Sequence, residues 1–211
     1  SDNRPITGPA KNWAAKKVQT FGAISNALTI EDDWDEGSPG MTDDLIEKDK
    51  TKPQEKINFS KLYSDWLYTN FSAAAHRKSC TLASIRERKG DFRLTHAMKV
   101  LRSHHGDETN FAPDKGITGS DVCMHAGYGP IRASQTTGSM VVELYKDEIK
   151  CWVTGSSSPC LSTFLPYPMW ADSALFGDEP AIKFDRKSYW WRHEMLHRAI
   201  LEDYLNLSKV Y

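Results

Sequence analysis

At about 150 residues per domain, the 211 residues of this chain make one large domain or one domain with appendages. Lys and Arg total 27 against 28 Asp and Glu, a formal net charge of −1 that removes the basic footprint of a nucleic-acid binder. With 39% hydrophobic, 26% charged and 11% aromatic residues, the composition is that of a folded globular chain and excludes a disordered one.

In chain order, residues 16–24 carry β-branched and aromatic side chains and lead into Ser25-Asn26-Ala27-Leu28-Thr29-Ile30, which predicts a strand, a turn and the start of a second strand. An acidic stretch follows. Counted from Glu31 as a calcium loop, its sixth residue is Glu36 where glycine is needed and its twelfth is Thr42 where Glu is needed, so a solvated loop is expected. From Asn58 the period becomes helical: Phe59, Leu62, Tyr63, Trp66, Leu67 and Phe71 recur at three- and four-residue spacing, with Asn58 placed to cap. A second helix is predicted up to Gly90, with Leu82 and Ile85 inward and Arg77, Lys78, Arg86, Arg88 and Lys89 largely outward. A third, through Ala97, Met98, Val100 and Leu101, is expected to be capped by Thr95 and to stop before Gly106.

Beyond Gly106 the pattern predicts strands at 122–125, 139–145 and 149–154, the last two joined by Lys146-Asp147-Glu148, short enough for a hairpin. After a Pro-rich connection and the acidic Asp178-Glu179-Pro180, Asp185 is placed to cap a terminal helix with Tyr189, Leu196, Ile200, Tyr204 and Leu207 on its apolar face. Helix clusters separated in sequence from strand clusters predict an α+β fold, a layered sandwich.

No run approaches the roughly 18 consecutive apolar residues of a membrane span, and Ser1-Asp2-Asn3-Arg4-Pro5 lacks the plan of a signal peptide, so no membrane partner and a cytoplasmic location are expected. Cys80, Cys123, Cys151 and Cys160 form no CxxC pair and are expected as free thiols. His193-Glu194-Met195-Leu196-His197 matches HExxH, in which two imidazoles four residues apart bind zinc and the Glu acts as base. Catalytic zinc needs a third protein ligand, and the extended metzincin pattern fails because Ile200 and Asp203 stand where Gly and His are required. A hydrogen-bonded structural histidine is therefore the expectation at His193. Cys123 and His125 fall on one face of an extended segment, but the sequence supplies no third group to orient them, so a buried structural cysteine is expected.

Six phrases carry a family likeness: Trp13-Ala14-Ala15-Lys16-Lys17-Val18, Ala23-Ile24-Ser25-Asn26-Ala27-Leu28-Thr29-Ile30, Tyr63-Ser64-Asp65, Cys123-Met124-His125, Thr136-Thr137-Gly138-Ser139-Met140-Val141 and Trp190-Trp191-Arg192-His193-Glu194-Met195-Leu196-His197-Arg198. Together and in this order they resemble the dipeptidase A and secernin family of cysteine dipeptidases, which are similar to the N-terminal nucleophile hydrolases. The resemblance implies part of a four-layer αββα sandwich, hydrolysis of amide bonds in small peptides, no cofactor, and no metal on the HExxH helix. It also implies attack by a processed N-terminal cysteine whose α-amino group carries the proton. Ser1 does not fill that role and no cysteine precedes Cys80, so residues 1–211 are expected to be the C-terminal portion of a single dipeptidase-like domain, inactive alone.

Carried over residue by residue, the resemblance makes Asn26 the oxyanion donor and Arg77 the nearest match for an arginine beside the nucleophile, with Arg86 and Arg88 as rivals. A portion of a layered sandwich should expose apolar sheet surface and associate with itself or with the rest of the parent. The alternatives are a non-enzymatic, secernin-like interaction protein and, lower, a zinc hydrolase acting through His193, Glu194 and His197.

Overall fold

The structure, a computed structural model, describes residues 12–18, 20–41, 57–64, 73–104, 111–113, 121–126, 134–168 and 182–209. The chain divides into two compact units, Ser1–Lys78 and Ser79–Tyr211. The secondary structure is α+β with small antiparallel sheets.

In the first unit a short antiparallel pair joins β1 (Ala14–Ala15) to β2 (Glu36–Gly37), with Ala14 opposite Gly37. Met41, Ile57 and Phe59 form the buried cluster, packed by Ala14, Ile30, Trp34, Leu62 and Tyr63, and the Trp34 indole donates to the Ile57 carbonyl at 2.8 Å. A side chain at position 37 would meet Met41 Sδ at 2.9 Å, so the Met41 side chain would have to shift to admit one. Helix α1 (Phe59–Tyr63) starts where the sequence places it: the Asn58 Oδ1 accepts from the Lys61 backbone N–H at 2.8 Å. The rest of the expected helix, through Trp66, Leu67 and Phe71, lies outside the described residues.

The strand expected over 16–24 does not form in its described residues, nor does one begin over 27–30. The reason is that this segment has no sheet face to bury: Ile24 is 92% exposed. The acidic loop is held by cations and backbone groups. Lys16 pairs with Asp33, and Asp35 Oδ2 accepts from the Lys17 N–H at 2.6 Å.

Helix α2 (Ala74–Glu87) spans the boundary between the units and ends in a turn at Gly90, whose φ of 91° is a left-handed value that glycine adopts at no steric cost. Leu82 and Ile85 are half-buried and Arg86, Arg88 and Lys89 exposed, as the pattern predicts, but Arg77 and Lys78 are half-buried instead of outward. Helix α3 (Leu94–Leu101) opens at Arg93, whose N–H is accepted by His96 Nδ1 at 3.1 Å. Thr95 is therefore inside the helix and is not its cap. A ring nitrogen at the third helical position does the capping that the hydroxyl was expected to do.

Strands β3 (Ser139–Leu144), β4 (Ile149–Thr154) and β5 (Leu165–Tyr167) form an antiparallel sheet in the order β3-β4-β5, with the predicted hairpin closed by Tyr145 N–H donating to Glu148 O at 2.9 Å. The segment 122–125 forms no strand and bends at Val122 and Cys123. It is tied at single points, Cys123 N–H to Ser103 O at 3.1 Å and Thr136 N–H to Met124 O at 2.8 Å. Helix α3 packs on β3.

Helix α4 (Tyr189–Glu202) is capped by Ser188, whose hydroxyl accepts from Trp191 N–H at 3.4 Å, while Asp185 forms the turn before it by accepting from Lys187 N–H. After a break at Asp203 comes α5 (Tyr204–Leu207). The buried face of α4 is not the expected apolar stripe. Ile200 of that stripe is buried as expected, but Tyr189 and Leu196 are exposed, and His193, Glu194 and His197 are buried in their place. Polar partners below the helix account for this rotation. No described helix is long and apolar enough to cross a membrane.

Candidate functional site

In the first unit, Asn26 stands at a bend in an irregular segment and Arg77 on the first turn of α2. The Arg77 Nη2 donates to Asn26 Oδ1 at 2.8 Å, across 51 positions of sequence. Desolvation of the half-buried guanidinium lowers its pKa from the ordinary value, but an arginine stays protonated in proteins. With Oδ1 engaged as acceptor, the donor end of the Asn26 amide is Nδ2. Beside it, Ser25 Oγ is buried without a hydrogen-bond partner among the described residues. Arg86 and Arg88, the rivals of Arg77, are exposed.

In the second unit, residues distant in sequence converge on a buried knot of rings and thiols. His104 follows the end of α3; Cys123 and His125, two residues apart on the segment 122–125, are both buried; Cys160 rides a 3-10 turn at Pro159–Leu161. The His125 Nε2 lies 3.0 Å from His104 Nε2, 3.3 Å from Cys160 Sγ and 3.5 Å from Cys123 Sγ. One ligand atom from each of these side chains lies within 4.8 Å of every other. Phe111 stacks flat on the His104 ring at 3.8 Å, and Tyr204 meets the His125 ring edge-on at 5.8 Å.

Arg102 fixes the turn that carries Cys160 by donating to the carbonyls of Pro159 at 3.0 Å and Ser162 at 2.8 Å. The knot borders a cleft of about 560 Å³ lined by Lys99, Arg102, Phe111, Cys160 and Tyr204 among others. The neighbouring Cys160 thiol, with burial, pushes the pKa of Cys123 up, whereas the Cys123 thiol and the adjacent His104 and His125 rings pull that of Cys160 down. Burial, with Cys160 beside it, raises the Tyr204 phenol.

A polar chain leads away from the knot. Ser158, fully buried and held at a left-handed φ of 60°, puts its Oγ 3.2 Å from His125 Nδ1 and 3.1 Å from His197 Nε2. The His197 Nδ1 faces Glu194 Oε2 at 3.6 Å, and Glu194 Oε1 accepts from Arg198 Nε at 2.8 Å. Burial lowers the pKa of His197.

The HExxH histidines therefore diverge in partner. His193 Nε2 meets the Leu161 carbonyl at 2.8 Å and Ser162 Oγ at 3.4 Å, and neither histidine belongs to the converging set. The structural reading of His193 agrees with these contacts. Sequence reasoning missed His104 and Cys160 altogether. The one signal available was the Cys123, His125 alternation, which needs partners brought by tertiary folding. Comparison of the chain with protein-family models, curated proteins and solved structures finds no match.

Proposed function

We propose that this chain is the C-terminal portion of a cysteine-type dipeptidase with the αββα layering of N-terminal nucleophile hydrolases, its attacking cysteine supplied by polypeptide outside these 211 residues. The observation that carries the reading is the Asn26–Arg77 hydrogen bond at 2.8 Å, because both residues come from the family resemblance as neighbours of the reacting centre. In this reading the thiolate attacks the peptide carbonyl, and the α-amino group of the same cysteine carries the proton to the leaving amine. The Asn26 amide donates Nδ2–H to the developing oxyanion. Arg77 positions that amide by holding Oδ1, so the donor is aimed before charge develops.

The sheet of the second unit supports the layering. Met140, Val142, Leu144 and Ile149 lie on one face of β3 and β4 and are exposed, although Cys151 on the same face is buried, whereas Val141 and Thr154 on the opposite face are buried. An apolar sheet face of this kind is what sheet-on-sheet packing in a four-layer sandwich covers.

The test is dipeptide hydrolysis by the full-length gene product. Asn26→Ala should lower kcat by about 10²- to 10³-fold with little change in KM, and Arg77→Lys, which keeps the charge and loses the fork, should fall between the two. An Asn26→Ala enzyme at full rate removes the role of Asn26. A full-length protein inert toward all dipeptides removes the enzyme reading and leaves the interaction protein.

A further inference from the structure

We propose that His104, Cys123, His125 and Cys160 bind one zinc ion as a closed four-ligand structural site. The geometry is the first reason. Tetrahedral zinc with Zn–N near 2.0–2.1 Å and Zn–S near 2.3 Å implies edges of about 3.3 Å between nitrogens and about 3.6 Å from nitrogen to sulfur. The contacts of 3.0, 3.3 and 3.5 Å around His125 Nε2 fall within about 0.3 Å of those edges. All four ligand atoms lie within 4.8 Å of one another.

Hydrogen bonding alone accounts for this packing poorly. A proton on His125 Nε2 can be directed at only one of its three close neighbours, whereas a cation among the four engages every lone pair at once. Two sulfurs and two imidazoles in a tetrahedral set are a donor combination that selects zinc over magnesium or calcium, which take oxygen. Both sulfurs bind as thiolates. Two thiolates and Zn²⁺ then sum to zero, which lowers the cost of burying the ion.

The surroundings are those of a ligand's outer shell. With Nε2 on the metal, the proton of His125 sits on Nδ1 and points to Ser158 Oγ, whose own hydrogen points to His197 Nε2. A consistent donor direction thus runs from the site to the buried face of helix α4, orienting the ligand ring. Phe111 holds the His104 ring and Arg102 holds the turn of Cys160. Cys160 also lines the cleft, which gives an ion a way in. The site would tie the end of α3, the segment 122–125 and the 3-10 turn, which share no sheet or helix, into one piece.

The purified chain, kept reduced, stripped with chelator, loaded with excess zinc and desalted, should retain about one zinc per chain by elemental analysis. Cobalt in its place should give the visible absorption of a tetrahedral ion with near-ultraviolet thiolate charge transfer. Cys160→Ser and His104→Gln should lose most of the metal, Ser158→Ala should keep it with affinity about 10- to 100-fold weaker, and Cys80→Ser should bind like the wild type. Because a ligand variant can fail to fold, the wild type supplies a second readout: chelator should lower the thermal midpoint, and zinc but not magnesium should restore it. The proposal is overturned if folded, reduced wild type retains no zinc, if bound cobalt lacks the thiolate band, if a Cys123–Cys160 disulfide persists under reductant, or if Cys160→Ser keeps full zinc. None of these readouts depends on amide hydrolysis.

Discussion

Ser158 joins two histidines from different parts of the chain, and its left-handed backbone is what turns its hydroxyl between them. Next along that line, His197 is buried, and desolvation lowers its pKa against the smaller opposing field of Glu194, with His125 and His193 pushing in the same direction as burial and Cys160 against it. The sign of the pH effect follows. The unfolded chain binds a proton at His197 near the ordinary value of about 6.5, and the folded chain binds it only at lower pH. The stabilisation from the neutral ring is therefore complete above about pH 6.5 and is lost as pH falls toward the folded value. Denaturant midpoints measured from about pH 7.5 down to about pH 4.5 should decline for the wild type, and His197→Gln should show a shallower decline. An equal slope in both proteins would mean that His197 is not what titrates.

At the scale of elements, caps and faces separate what periodicity can tell from what it cannot. Asn58 caps α1 where expected, and Asn58→Ala should cost about 1 kcal/mol by chemical denaturation. In α4, spacing assigned the buried stripe to the aliphatic and aromatic residues, but the helix turns His193, Glu194 and His197 inward because Ser158, Ser162 and the Leu161 carbonyl offer them hydrogen bonds. The two orientations predict different mutants. They part at Leu196, where Leu196→Lys should change stability by no more than about 0.5 kcal/mol; both bury Ile200, 3% exposed, and Ile200→Ala should cost about 2–5 kcal/mol. A large loss at Leu196 would favour the stripe read from the sequence. The hairpin of β3 and β4 was legible because strand alternation and a short polar break are local signals. The 122–125 segment was misread because the same alternation serves a segment that turns two ligand-type side chains inward without a ladder.

For the molecule as a whole, the open apolar face of the sheet has a measurable consequence. Leu144 is 76% exposed and Met140 63%, both on β3, which is an edge strand. The isolated chain should associate with itself through this face, so its sedimentation coefficient should rise with concentration, and Met140→Lys with Leu144→Lys should abolish the rise. A wild type that stays monomeric at high concentration would show that the face is not adhesive. The sequence by itself determined the α+β class, the hairpin and the start of α1, since propensity, alternation and capping are all carried by neighbouring positions. Only the tertiary structure decided that Arg77 reaches Asn26, that α4 presents its histidines inward, and that residues 104, 123, 125 and 160 meet. Those meetings depend on the free energy of packing and hydrogen bonding between segments far apart in the chain, and no local pattern records which distant partner a buried polar group will find.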